Sequence, residues 1–489
     1  MRKRLLSVGA VTAVVTAVVT GVTLAGTSHA AAHTGAPDGD SGATRLAAAA
    51  AAGSGKTADV DGDGYDDLAA GAPDAATKGY AKAGYVVLTY GTQRGIQVSR
   101  HKGLTQSSTG VPGTPEAGDR FGSSLALGDM DGDGYADLVV GASGEAIGDV
   151  KGAGSVTVVF GSATGLSTKA IAFHAPTVTA RQGFGGRLAL GDYNHDGLKD
   201  LAIGDGTKVD LVLGAKNLRS TPTPKITRIA PPGGGAGTRG ISSGDINGDG
   251  YDDLVTVAYS DDPADEGTLG VLPGSRTGLK STPLGRNINL PFAGYKAVVG
   301  DINGDGKADV VIDTGFSDGP DDYLLRTFPG SASGLDAAGA VVWDGGPHQG
   351  TAAQLADVNG DGHADLLIGD PTAEDGDGFS NAGALTVVPG STQWLASSKA
   401  QTLSLDTKGV VGVAETGDLF GSAMAPGDYN GDGTADLAVG VRGKWRDTGA
   451  VSMLYGGGDG LTGTGSILFG PDSFGYEAVK SSFGAALAG

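Results

Sequence analysis

The sequence predicts an all-β fold: a seven-bladed β-propeller of four-stranded blades, closed by a C-terminal strand that completes blade one. Three observations predict it. One acidic string recurs seven times along the chain. Each copy sits among short β-branched and aromatic runs bounded by Gly, Pro, Asp and Ser, the pattern of strands and tight turns. The first unit lacks its opening strand, and residues of that type reappear at the end of the chain.

The string is D-x-[DN]-x-D-G-x-x-D followed by Leu or Val. Its first Asp falls at Asp59, Asp129, Asp192, Asp245, Asp301, Asp357 and Asp428. Spacings of 53 to 71 residues suit a repeat of four short strands. A stretch such as Phe121–Gly128 reads as the first strand, ending at the acidic loop. The run from Asp137 to Ala142 reads as the second. A variable polar connection leads to a third, as in Gly154–Gly161, and a weaker fourth follows a Ser-x-x-Gly-Leu turn. Tandem β-sandwich domains would use similar strands. The chain ends favour a ring: Phe483–Gly489 matches the stretch missing before Asp59. Closure of that kind removes an exposed sheet edge.

Ahead of the repeats, Arg2, Lys3 and Arg4 precede an uncharged apolar run from Leu5 to Leu24, and Ser28-His29-Ala30 is a small-x-small site. This is the pattern of a secretory signal over 1–30. Residues 31–56 are rich in Ala, Gly, Ser and Thr and read as a flexible linker, leaving 57–489 for the propeller. Gly55-Lys56-Thr57 resembles the end of a phosphate-binding loop, but the Gly that the motif needs upstream is Ala50.

Composition narrows the function. There are 90 Gly and no Cys, and 55 acidic against 34 basic residues give a net charge of −21. Without Cys there is no disulfide framework, thiolate zinc site or cysteine nucleophile. The acidic balance excludes the basic face that nucleic acid requires. After the signal, no run is long enough to span a membrane. The sequence therefore predicts a secreted protein, extracellular or associated with the cell surface, and a monomer.

The loops carry the chemistry. Position 1 is always Asp, as given above. Position 3 is Asp61, Asp131, Asn194, Asn247, Asn303, Asn359 and Asn430; position 5 is Asp63, Asp133, Asp196, Asp249, Asp305, Asp361 and Asp432. Position 9 is Asp67, Asp137, Asp200, Asp253, Asp309, Asp365 and Asp436. Side-chain oxygens at 1, 3, 5 and 9 can converge on one cation. The backbone carbonyl of position 7 joins them, at Tyr65, Tyr135, Leu198, Tyr251, Lys307, His363 and Thr434. Hard oxygen donors in a flexible loop suit Ca²⁺ better than Mg²⁺ or a transition metal. An EF-hand would need Glu at position 12, where this chain has residues of the following strand such as Ala70 and Val140. Up to seven Ca²⁺ are expected. The first two loops, with four Asp each, are expected to bind most tightly. His195 at position 4 and His363 at position 7 are read as bystanders.

At this point the unit resembles the FG-GAP repeat of integrin alpha-chain propellers and their bacterial relatives. Phe121-Gly122, Phe184-Gly185, Phe420-Gly421 and Phe483-Gly484 match the first half of the motif, and Gly71-Ala72-Pro73 the second. Units four to six depart from it, with Gly237, Ala293 and Gln349 at the Phe position. The resemblance implies calcium sites in hairpins on one face of a seven-bladed propeller, and an interaction or adhesion module.

Strand alternation puts the connections between second and third strands on the face opposite the acidic loops. Variable loops there are the expected recognition surface for a protein or glycan. Tyr80, Tyr259, Phe316, Arg442, Lys444 and Trp445 are its candidate contacts, because aromatic and Arg side chains dominate binding energy. No enzyme is expected. A polysaccharide hydrolase or lyase is the alternative, as is a structural protein of the cell envelope. Outside the signal, linker and acidic loops only His101, His174 and His348 remain, and no convergent catalytic set is visible. The Gly-x-Ser-x-Gly match at 240–244 falls on a strand and not on a nucleophile elbow.

Overall fold

The computed structural model describes residues 57–489 apart from 233–237, 260–266, 291–295, 314–324, 339–340, 344–351, 375–377 and 477. All of them belong to one unit, Ala49–Gly489. The expected signal and linker lie outside the described residues.

Seven four-stranded antiparallel sheets form, one for each repeat. Blade 2 shows the plan: Phe121–Gly128, Asp137–Ala142, Ser155–Val159 and Ala170–Phe173 lie side by side in chain order. Blade 7 repeats it with Phe420–Gly427, Asp436–Val441, Ala450–Tyr455 and Thr462–Phe469. Blade 1 is assembled from both ends of the chain. Ala486–Ala488 pairs with Leu68–Ala72, followed by Tyr85–Tyr90 and Gln97–Leu104. The register sets Ala488 opposite Ala69 and Ala486 opposite Gly71. The predicted closure is therefore present.

Second strands such as Leu68–Ala72 and Asp137–Ala142 are buried at every position. Both faces of a blade are covered by its neighbours, so these strands are continuously apolar and do not alternate. The core accordingly lies between blades. One cluster joins Val86 and Leu88 of blade 1 to Phe121, Leu138 and Val140 of blade 2.

One backbone seam stitches each blade to the next, and among the described residues a second joins four of the seven junctions. On the acidic-loop face, the position 8 N–H of one loop donates to the position 1 carbonyl of the preceding loop in all seven junctions. Ala136 to Asp59 is 2.8 Å, and Asp66 to Asp428, which closes the ring, is 3.2 Å. On the opposite face the Phe-Gly pairs do the same work. Phe121 N–H donates to Ala83, Phe184 to Ala153, Phe420 to Ala382 and Phe483 to Thr448, at 2.9 to 3.0 Å. All four rings are fully buried. The glycine of the second half-motif has a steric cause as well. A Cβ on Gly71 would stand 2.2 Å from the Gly122 carbonyl of blade 2. The departures at Gly237, Ala293 and Gln349 lie outside the described residues.

Candidate functional site

Each acidic loop is wound around its first aspartate. Asp245 Oδ1 accepts the Gly248 and Asp249 N–H at 2.7 and 3.1 Å, and Oδ2 accepts the Gly250 N–H at 2.8 Å. Asp301 and Asp357 repeat these bonds with the same lengths. Such side-chain-to-backbone bonds are what Asp brings to a turn. They require a left-handed residue at position 6, where Gly64 has φ of 94°. Position 4 is left-handed too, and His195 adopts φ of 56° where the other loops have Gly.

The ninth aspartate has a second role that the string did not reveal. All seven are fully buried. Asp309 accepts the Ile302 N–H at 3.1 Å and the Gly330 N–H at 2.9 Å. Asp67 does the same with Val60 and Gly91, and Asp137 with Met130 and Gly161. It thus ties the loop to the glycine that ends the third strand. That recurring glycine was the available signal. Burial pushes Asp67 and Asp137 up to about 8, and Asp200, Asp253, Asp309, Asp365 and Asp436 up to about 7, against the pull of these N–H donors.

Among the described residues, carboxylates gather in loops one and two, with three of the four expected side-chain positions in each. Carboxylate oxygens of Asp59, Asp61 and Asp63 lie within 4.8 Å of one another, as do those of Asp129, Asp131 and Asp137. Asp131 Oδ1 and Asp436 Oδ2 are buried with no hydrogen-bond donor. A buried carboxylate oxygen without a donor is costly, and a hard cation would satisfy it. The all-oxygen donor set fits Ca²⁺.

Position 7 side chains do something unforeseen: they roof the preceding loop. A Cβ on Gly62 would stand 2.7 Å from the Tyr135 ring, and one on Gly431 would stand 2.6 Å from Tyr65. His363 covers Gly304 in the same way, and His195 packs against Tyr251 with ring centroids 5.5 Å apart. Two arginines also reach the loops. Arg100 bonds Asp61 and Asp63, and Arg219 bonds Asp131 and Asp133.

The opposite face collects exposed apolar side chains. Among the described residues the large exposed ones are Tyr80, Phe379, Val411, Val413, Trp445 and Val479. All six lie in connections of blades 6, 7 and 1 on that face. A groove of about 580 Å³ runs between blades 7 and 1, lined by Asp74, Lys82, Arg442, Asp447, Val479 and Lys480 among others. Tyr80, Arg442 and Trp445 are exposed in this sector. Lys444 is a correction. It is 4% exposed, and its ammonium donates to Asp418 Oδ2 at 2.8 Å, Glu415 Oε2 at 3.0 Å and the Val413 carbonyl at 2.7 Å. A buried cation must be paired, so Lys444 is an internal strut and not a surface contact. Phe316 and the side chain of Tyr259 lie outside the described residues. The 240–244 match falls within the strand Thr238–Gly244, and Ser242 Oγ donates to the Ala297 carbonyl of blade 5 at 2.6 Å.

Fold and loops together define a class of protein, the seven-bladed repeat propeller with an acidic loop in every blade. Comparison with known families agrees. The FG-GAP repeat matches residues 51–88, 121–159, 349–388 and 420–452, and an FG-GAP-like repeat matches 192–256. The chain is an FG-GAP repeat protein, related through these repeats to integrin alpha chains. Integrin alpha-PS5 of Drosophila melanogaster is 34% identical over 154 residues, which is 29% of this chain and 15% of the integrin. Phosphatidylinositol-glycan-specific phospholipase D of Rattus norvegicus is 33% identical over 147 residues, which is 30% of this chain and 17% of that protein. The match thus spans under a fifth of either relative's length. A solved lectin of Agrocybe aegerita, described for recognition of non-reducing terminal N-acetylglucosamine, aligns over 88% of this chain and 95% of its own. Identity is 16% and the TM-score 0.49.

Proposed function

We propose that the protein is an extracellular binding module whose blades are held by Ca²⁺ in the seven acidic loops. On this reading it is not an enzyme, and its recognition surface is the face opposite the metal. One observation carries the reading: the exposed large apolar side chains of the described residues all fall in one sector of that face. Exposed apolar patches mark interaction sites. Trp445 and Tyr80 are the anchors, since aromatic side chains bring large contact area at low entropic cost.

Backbone strain points to the same place. Trp445, Arg446 and Asp447 are consecutive left-handed residues, with φ of 54°, 63° and 66°. Each costs roughly 1–2 kcal/mol, and strain of this kind clusters where function requires it. Division of labour follows, with calcium fixing one face while the other varies. Among the described residues no helix is long and apolar enough to cross a membrane.

The test is a glycan and matrix-protein array probed with the full chain, with calcium and after chelation. Calcium-dependent capture of a defined ligand set is expected. Chelation should also lower the melting temperature. At ~1 mM Ca²⁺ and a Kd of ~0.1 mM each site adds roughly 1.4 kcal/mol by mass action. A melting temperature indifferent to chelator would refute the metal half of the proposal, and an array with no binding would refute the other half.

A further inference from the structure

We infer that Arg100 and Arg219 are built-in counter-cations of the two loops that carry Asp at position 3, lowering their calcium affinity to that of the asparagine loops. The inference rests on the calcium reading of the acidic loops and removes the ranking that the count of aspartates suggests.

The asparagine loops show what position 3 supplies. Asn194, Asn247 and Asn430 each donate an Nδ2 hydrogen to Oδ2 of the position 5 aspartate, at 2.9, 3.0 and 2.9 Å. Asp61 and Asp131 have no hydrogen to give. An arginine supplies it instead, at the same atom. Arg219 Nη2 donates to Asp133 Oδ2 at 2.6 Å while its Nε donates to Asp131 Oδ2 at 2.6 Å. Arg100 Nη1 donates to Asp63 Oδ2 at 3.4 Å, and its Nη2 to Asp61 Oδ2. In each pair the guanidinium takes Oδ2, leaving Oδ1 of Asp61, Asp63 and Asp133 to accept N–H groups of the loop and Oδ1 of Asp131 buried without a donor.

The two arginines arrive by unrelated routes. Arg100 lies in an irregularity of the fourth strand of blade 1, where His101 pairs with Thr89 but Gln97 pairs with Tyr90. Arg219 sits in the 3₁₀ turn Leu218–Ser220 of blade 3 and reaches across to blade 2. Both guanidiniums lie over the aromatic ring just before the glycine that recurs at the end of the third strand, Tyr90 at 4.2 Å and Phe160 at 5.0 Å. Two routes to one placement, each at a loop with the extra Asp, mark a matched substitution and not a stray surface pair. Four carboxylates plus one guanidinium leave the net charge of three carboxylates. Loop five has a smaller version, with Lys307 Nζ 3.4 Å from Asp305 Oδ2, and should be the weakest site.

The experiment is calorimetric calcium titration of the full chain, as wild type, Arg100→Gln, Arg219→Gln, and Arg100→Gln with Asp61→Asn. In wild type, loops one and two should not stand out as a tight class. Each Arg→Gln change should create one site about three- to ten-fold tighter, from a unit charge removed at several Å, and the gain should shrink at high salt. Asp61→Asn should cancel the gain in Arg100→Gln. Unchanged or weaker binding in Arg→Gln variants whose other loops still take calcium would overturn the inference alone. No calcium heat in wild type would overturn the calcium reading and this inference with it.

Discussion

Two seams on the face opposite the acidic loops share one backbone and differ in the sign of the charge at one position. Between blades 6 and 7, Gly443 N–H bonds the Asp418 carbonyl at 3.0 Å. Between blades 1 and 2, Gly144 N–H bonds that of Asp119 at 2.9 Å. In both, a glutamate three residues before the aspartate, Glu415 or Glu116, donates its N–H to the aspartate Oδ2. The next residue differs. Blade 7 has Lys444, whose ammonium neutralises Asp418 and Glu415. Blade 2 has Glu145 there, and a buried Gln106 donates to it where the first seam has Leu405. Burial pushes Asp119 up to about 6 and Glu145 up to about 7, the Asp119 charge adding to the latter. The connection in blade 7 is also shorter, from Val441 to Ala450 against Ala142 to Ser155, which is why it closes through left-handed residues. The comparison teaches that the repeat dictates backbone geometry and leaves the electrostatics of each seam to local residues.

Removing the strut should have the largest effect. Lys444→Met leaves Asp418 buried beside Glu415 with no cation. Breaking a buried pair this way costs about 3–5 kcal/mol. A clear drop in melting temperature is expected in calcium-saturated protein. A loss under ~1 kcal/mol would mean that Asp418 is satisfied without its partner, and the contrast between the seams would dissolve.

Glu145→Lys with Gln106→Leu transplants the first seam into the second. A gain of about 1 kcal/mol is expected, of the size typical for relieving one local fault. Thermal unfolding of the double variant measures it, and a destabilised protein would show that the two seams are not equivalent.

Acid sharpens the same contrast. Asp119 and Glu145 have folded values above their ordinary ones of 3.8 and 4.5, so the folded state binds the extra protons. Their favourable contribution is complete below about pH 4 and is lost as pH rises through 6 to 7. In saturating calcium, wild type should therefore lose stability between pH 5 and 7.5 relative to Glu145→Lys. Parallel melting curves for the two proteins across that range would count against the buried carboxylate pair.

Much of this could be read from the chain and some could not. Seven units, four strands in each, the closure at Phe483–Gly489 and the acidic positions all follow from a string short enough to see and repeated often enough to trust. Lys444 was misjudged because a lysine in a variable polar connection looks like surface. Its burial depends on Asp418 and Glu415, which the chain places in the preceding connection. The roofing by Tyr135 and the link from Asp137 to Gly161 escaped for a similar reason. Each joins positions that are distant in sequence or in different repeats, and periodicity within one unit is silent about them. Arg100 and Arg219 had no repeating partner to reveal them.

The smallest effect on stability belongs to the residue with the largest expected effect on binding. Trp445 is 45% exposed, and its ring leans on the backbone at Gly470, where a Cβ would stand 2.5 Å from Cζ3. Blade 2 has Ala146 at the place of Trp445 in the matched seam, so the seam itself does not call for a ring. Truncation to Ala removes part of one contact and keeps a residue at positive φ. The net change in stability should stay below about 1 kcal/mol, as for surface substitutions away from caps and cores. Loss of capture on the array in a protein that melts like wild type would place the recognition surface at blade 7. Unchanged capture would remove Trp445 from it, and a large fall in melting temperature would make the ring part of the seam.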